Sequence, residues 1–292
     1  MGRLVAVTAF VALLAPASPP RPRILGISHV GLKVSDVAAA RAFYEGFLGL
    51  RELRVSGRQY VELRPGLAPE EDRLDHIALE ADDVEGLRRY LASRGVAVPD
   101  QVERDNGGGR FRAHDPDGHA VEFVQVSSAG RRELERTELA GVARVSDHVL
   151  HVGIIVGDVP AALRFYGDVL GFSETWRGSR SGTELSWINM KVPDGGEYVE
   201  FMLYGERPAP NARGTQHHIC LEVADLARAQ AWLEARPNRA SYARPLEPRV
   251  GTNRKRQLNL YDPDGTRVEL MEPGTVDGEP APSSTAPPPH HP

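Results

Sequence analysis

Apolar and polar positions alternate from Ile24 to Val34, with Ile27, His29 and Gly31 on one side and Ser28, Val30 and Leu32 on the other, the two-residue period of a strand. The period then changes. Asp36 is a good N-cap, and Val37, Ala40, Phe43, Tyr44 and Phe47 follow at three-to-four spacing, which predicts an amphipathic helix ended by Gly49. Arg51–Ser56 and Arg58–Arg64 are strand candidates, and 65–73 is a polar loop. A second unit begins with a strand at Asp75–Ala81 and a helix at about Val84–Arg94, capped by Asp82 or Asp83 and closed by Gly95. Strands are predicted at Val96–Val102, Arg110–His114 and His119–Val126, the last two joined by a turn on Asp115-Pro116-Asp117-Gly118.

The same plan then recurs. Leu150-His151-Val152-Gly153 reopens the first pattern, Asp158 to Gly171 repeats its helix, and His217-His218-Ile219-Cys220 reopens the second, ending at Asp262-Pro263-Asp264-Gly265. Internal repetition of this kind sets the fold class as α+β, built from four βαβββ modules. The modules span 24–126 and 148–272; 127–147 is a charged linker with a helical stretch around 131–138, and 273–292 is a Pro-, Ser- and Ala-rich tail expected to be disordered. The aspartates of the Asp-Pro-Asp-Gly turns are assigned to the turns, not to a metal.

Each module also places a charged residue in an apolar strand: Glu62, Glu122, Glu200 and Glu269. A carboxylate there is costly to bury unless a cation neutralises it. Four in register, matched to the strand histidines His29, His76, His151 and His218, argue for a divalent ion. Sets of two imidazoles and two carboxylates suit zinc, nickel, iron, manganese or cobalt.

The net charge of −5 offers no basic field for nucleic acid. A single cysteine, Cys220, excludes an intrachain disulfide framework and a cysteine-based zinc site; its apolar strand suggests a buried, inert thiol. Residues 1–20 read as a signal peptide: Arg3, an apolar run from Leu4 to Ala15 and small residues at Ala15-Pro16-Ala17. The run is shorter than the about 20 residues that span a bilayer, so the mature chain is expected to be secreted or periplasmic, without a membrane segment.

The strand-opening His-x-Gly of His29 and His151, the Phe-Tyr-x-x-x-Leu-Gly helix ends and the Asp-Pro-Asp-Gly-x-x-x-Glu closures resemble the vicinal oxygen chelate superfamily. That group includes glyoxalase I, extradiol dioxygenases and bleomycin resistance proteins. The resemblance implies that modules pair into two cupped sheets, each holding a metal for a small-molecule substrate, and it is compatible with a homodimer. Carried over by position, it implies one ligand set of His29, Glu62, His76 and Glu122, and another of His151, Glu200, His218 and Glu269, in a glyoxalase I-like order. The interval from His29 to Glu62 is short, as if the first module had lost a strand, and Glu62 is expected to be displaced by that loss.

For chemistry, the resemblance implies isomerisation or related proton transfer, with Glu200 and Glu269 as catalytic bases. Ring-cleaving relatives carry a tyrosine three residues before the aspartate of the turn; here that position is Asn259 in the fourth module and Arg112 in the second. Extradiol cleavage and non-catalytic binding of a small molecule remain the alternatives. Arg249, Arg254, Lys255 and Arg256 are read as a solvated loop, with anchoring of an anionic substrate as their functional alternative.

Overall fold

A computed structural model describes residues 19–105, 108–127, 129–130 and 143–290. The signal segment, apart from Pro19 and Pro20, and the predicted linker helix lie outside the described residues. No helix among the described residues is long and apolar enough to cross a membrane.

Two sheets carry the fold. In the first half, β1 (Ile24–Val34), β2 (Tyr60–Pro65), β3 (Leu74–Ala81), β4 (Glu103–Asp105), β5 (Gly108–His114) and β6 (Ala120–Val126) take the order β2-β1-β3-β6-β5-β4. The second half has β7 (Val149–Val156), β8 (Ser173–Gly178), β9 (Trp187–Lys191), β10 (Tyr198–Leu203), β11 (His218–Glu222), β12 (Arg249–Val250), β13 (Lys255–Tyr261) and β14 (Arg267–Thr275). Their order is β12-β13-β14-β11-β7-β10-β9-β8. Modules therefore pair within each half, where β1 runs antiparallel to β3 and β7 antiparallel to β11.

Local chemistry explains the helices. Asp36 accepts from the amides of Ala38 and Ala39, and Asp158 from Ala161, so each caps the helix that follows its module's first strand. Both helices then widen into a π turn, Ala42–Phe47 and Leu163–Val169, closed by Leu48 N–H to Phe43 O and Leu170 N–H to Phe165 O, each at 3.0 Å. Tyr44 and Tyr166 on these turns are fully buried, within one apolar core that runs through both halves.

The halves are clasped crosswise. Tyr44 donates to Asp262 and Tyr166 to Asp115, each at 3.1 Å. Asp264 accepts from Ser35 N–H at 3.0 Å, and Asp117 from Gly157 N–H at 3.1 Å. The turn aspartates thus do more than the local work expected of them: Asp115 and Asp262 hold their own turns and also receive a tyrosine from the opposite half.

Several expectations are corrected. Arg51–Leu53 forms a 3-10 turn and not a strand, because Glu52 and Leu53 adopt positive φ, which breaks extended pairing. Val96–Val102 makes no ladder; Pro99 lacks a donor within it, and pairing begins only at Glu103. The tail is not disordered through its described part. It lies along the β8–β9 hairpin, where Ser284 N–H bonds Arg177 O, Leu185 N–H bonds Pro287 O, and Trp176 Nε1 donates to Pro282 O at 3.2 Å.

Candidate metal centres

Each centre is built on one adjacent strand pair plus the strands flanking it. His29 on β1 and His76 on β3 bring their Nε2 atoms to 2.9 Å; His151 on β7 and His218 on β11 bring theirs to 3.0 Å. The glycine of His-x-Gly makes this approach possible. A Cβ on Gly31 would stand 2.3 Å from the His76 ring, and one on Gly153 2.0 Å from the His218 ring. The first imidazole of each pair stacks on a tyrosine, His29 on Tyr60 at 4.4 Å and His151 on Tyr198 at 4.5 Å.

The carboxylates close in from the outer strands. Around the first pair, His29 lies 3.6 Å from Glu62 and 3.3 Å from Glu122, and His76 lies 3.5 and 3.8 Å from the same two. Around the second, His151 lies 3.8 Å from Glu200 and 3.6 Å from Glu269, with His218 at 3.5 and 3.4 Å. Bonds of about 2.0–2.2 Å in a tetrahedron set donors about 3.3–3.6 Å apart, so both constellations suit a divalent ion. Donor atoms of His29, His76 and Glu122, of His151, Glu200 and His218, and of His151, Cys220 and Glu269 each lie within 4.8 Å of one another; Glu62 and Glu269 also contact both histidines of their pair.

Glu62 is not displaced. The first module does lack counterparts of β8 and β9, but Gly31 pairs with Glu62 as Gly153 pairs with Glu200. Register against the central strand, not the number of strands beyond it, sets the position. The missing strands instead leave Glu62 a third exposed, whereas the Glu200 side chain is only 9% exposed.

The two centres differ in charge. At the first, Arg112 Nε donates to Glu122 Oε1 at 3.0 Å and Arg64 lies 3.0 Å from Glu62 Oε1. Each carboxylate spends one oxygen on a guanidinium and turns the other to the histidines. Burial alone would raise Glu122, but hydrogen bonds from His29 and Arg112 outweigh it and bring its pKa down to about 2. At the second, among the described residues, no guanidinium lies within salt-bridge distance of Glu200 or Glu269. Burial raises Glu200; Glu269 is held well below the carboxylate range because hydrogen bonds from His151 and His218 outweigh its burial. Burial, then the nearby Arg267, lowers His218 to about 3, so it stays neutral and able to ligate.

Sequence reasoning did not place three arginines at the centres, although it named Arg112 as standing at the tyrosine position. Arg112, Arg64 and Arg267 reach the centres by long side chains whose targets depend on strand pairing. Cys220 lies on the His218 face of β11, its sulfur within 4.8 Å of donor atoms of His151 and Glu269. It is buried as expected, and that burial pushes the thiol well up and keeps it protonated. His217 turns the other way and bonds Asp72 across the interface between the halves at 2.9 Å.

A cavity of about 410 Å³ opens over the second centre, lined by Glu200, Glu269, Trp187 and Met202 among others. Tyr261 does not line it; that ring packs on Arg244 and borders a separate surface pocket.

Two cupped sheets, each with paired histidines and flanking glutamates, define a class of metal-site α+β proteins assembled from repeated modules. The chain belongs to the Glyoxalase/Bleomycin resistance protein/Dioxygenase superfamily, whose sequence model matches residues 26–123 and 148–270. It is 29% identical to Metapyrocatechase 2 of Cupriavidus necator over 238 residues, covering 73% of this chain and 69% of that protein. Among solved structures, it resembles the Mn(II)-bound glyoxalase from Novosphingobium aromaticivorans with a TM-score of 0.66 at 20% identity, over 89% of this chain and 84% of the other. The 2,3-dioxygenase LapB from Pseudomonas sp. KL28 also gives 0.66, at 17% identity, over 89% and 97%. At these identities the structural matches establish the fold.

Proposed function

We propose that the second centre is the working site of a metal-dependent enzyme that isomerises, or otherwise moves a proton on, a small compound with two vicinal oxygens. The observation that carries this reading is the convergence of His151, Glu200, His218 and Glu269 beneath a cavity in which, among the described residues, those two glutamates are the only acid–base side chains besides arginines. A divalent metal held there, manganese, zinc, nickel, iron or cobalt, would polarise both substrate oxygens as a Lewis acid. His151 and His218 would hold the metal through the imidazole nitrogens they turn to each other, and the stacking of His151 on Tyr198 fixes its ring plane. Glu200 faces the cavity and is destabilised as an anion by burial, which suits it to take a proton from carbon and return it.

Ring cleavage is the second reading, favoured by the similarity to Metapyrocatechase 2. Against it, Asn259 stands opposite Glu269 on β13, and an amide has no titratable proton to exchange. A binding protein without chemistry is the third; the full donor set beneath the cavity weighs against it. The deciding assay gives iron-loaded protein oxygen and a panel of catechols, and gives protein loaded with each of the other metals anaerobic α-hydroxycarbonyl compounds in deuterated water. Deuterium wash-in without oxygen supports proton transfer, and yellow ring-opened product from catechols overturns it.

We also propose that the chain is exported, on the apolar run from Leu4 to Ala15. Mass spectrometry of protein from the native compartment should find an N-terminus near Ser18; an intact Met1 terminus in the cytoplasm would refute this.

A further inference from the structure

The cavity over the second centre carries an excess of unspent positive charge. Arg180, Arg249 and Arg267 all line it, and the acidic side chains lining it are the two metal-site glutamates. Among the described residues, no carboxylate lies within salt-bridge distance of any of the three arginines. Arg180 stacks on Trp187, 5.3 Å from the ring centroid, and its guanidinium is not otherwise engaged. Arg249 projects from the short strand β12 at the cavity rim. Its neighbours in sequence are different: Arg254 is paired with Asp277, and Arg256 lies 3.5 Å from Glu272. Of the four cations that the sequence grouped together, only Arg249 lines this cavity.

Arg267 supplies the sharpest observation. Its Nε is buried and has no hydrogen-bond partner. Its Nη2 lies 2.7 Å from His218 Nδ1, but that nitrogen also lies 2.7 Å from Gln216 O. One ring nitrogen cannot donate to a carbonyl and accept from a guanidinium at once. When Nε2 of His218 ligates a metal, the ring proton must sit on Nδ1, where Gln216 O accepts it. Arg267 then has no acceptor on the histidine, and its donors are left to the cavity it lines. The buried Nε–H is left without an acceptor, which an incoming anion would supply.

We propose that this cavity selects anionic substrates: a compact vicinal-oxygen compound that carries an oxyanion group, carboxylate or phosphate, beyond its two chelating oxygens. The two oxygens lie toward the metal; the oxyanion sits between Arg267, Arg180 and Arg249; Trp187, Met202 and Val250 border the apolar middle. Guanidiniums recognise both oxyanions through paired N–H donors. This inference rests on the second centre holding a metal as proposed above.

The test uses the full chain loaded with Co(II), whose visible absorption reports the metal directly, and three hydroxamates with the same pair of chelating oxygens. Acetohydroxamate is neutral, succinomonohydroxamate adds a carboxylate and phosphonoacetohydroxamate adds a phosphonate. At least one of the two anionic probes should bind about tenfold or more tighter than the neutral one, and which of them gains more identifies the oxyanion. In the Arg180→Gln/Arg249→Gln double variant that advantage should shrink to about threefold or less, and raised salt should shrink it in the wild type. If cobalt binds but all three probes bind alike, the inference falls while the proposed function stands. Failure of cobalt to occupy the centre, scored by its absorption in a His76→Ala background, overturns both.

Discussion

Arg112 and Glu122 face each other across paired strands, with Arg112 Nε 3.0 Å from Glu122 Oε1, and in the other half the corresponding pair is Asn259 and Glu269. At this strand position one centre carries a cation and the other a neutral amide. Each also has a guanidinium beside its second histidine, Arg112 at His76 and Arg267 at His218, but only at the first centre does a guanidinium pair with the carboxylates. A metal entering the first centre meets two carboxylates already shared with Arg112 and Arg64; a metal entering the second meets two that are not.

The second centre should accordingly hold metal more tightly. In competition against a chelator, His218→Ala should remove the tighter-bound ion and His76→Ala the weaker one. Substituting Arg112→Asn should strengthen the first centre by about tenfold or more, since one positive charge is withdrawn from beside the ion. If Arg112→Asn leaves the weaker dissociation constant unchanged, guanidinium competition is not the cause of the difference.

Gly153→Ala should abolish metal binding at the second centre alone, because its Cβ would fall 2.0 Å from the His218 ring and push that ligand aside. Metal content measured by mass spectrometry should drop by the occupancy of one centre, with the chain still folded by circular dichroism. Full retention of metal would show that the ring can be accommodated elsewhere.

Asp262 sets a pH signature. Burial, partly offset by hydrogen bonds from Thr266 and Tyr44, raises its pKa from 3.8 to about 6. The carboxyl is held protonated longer in the folded chain than in the unfolded one. Its contribution to stability is therefore fully present below pH about 4 and lost as pH rises to about 6, leaving a penalty on the order of 3 kcal/mol at neutral pH. Denaturant melts of wild type and Asp262→Asn across that window should diverge with this sign. A difference that stays constant with pH would refute the assignment.

Removal of residues 276–292 should loosen the hairpin that carries Arg180 and Trp187, since Leu185 and Trp176 both bond to the tail. Tryptophan emission should shift to the red and protease should cut between Ser179 and Ser186. An unchanged spectrum and cleavage pattern would mean that the hairpin holds itself.

Much of this architecture is legible in the residues. The period-two strands, the aspartate caps and the paired glycines locate four modules and the eight His and Glu residues that the structure gathers into two clusters. What is not legible depends on partners distant in sequence. Arg112 is noted in the sequence only as the residue in place of a tyrosine; its pairing with Glu122 emerges when β5 is laid against β6. The short His29–Glu62 interval suggests a displaced Glu62, but strand register against β1 sets its position instead. The positive φ of Glu52 and Leu53 ends a segment whose composition favours a strand. In the tail, the prolines 280, 282 and 287–289 lack amide donors and give no periodicity, yet the carbonyls of Pro282 and Pro287 accept bonds from the neighbouring hairpin.

The crossed tyrosine–aspartate bonds join two cups that are written separately in one polypeptide. In an assembly of identical subunits, every substitution appears at all centres at once, and a change that spoils one spoils the rest. Here a strand pair can be absent on one side and an arginine can stand for an asparagine without any effect on the other side's inventory. The two basins are thus free to diverge in charge and exposure, as Arg112 and the more open Glu62 on one side already show.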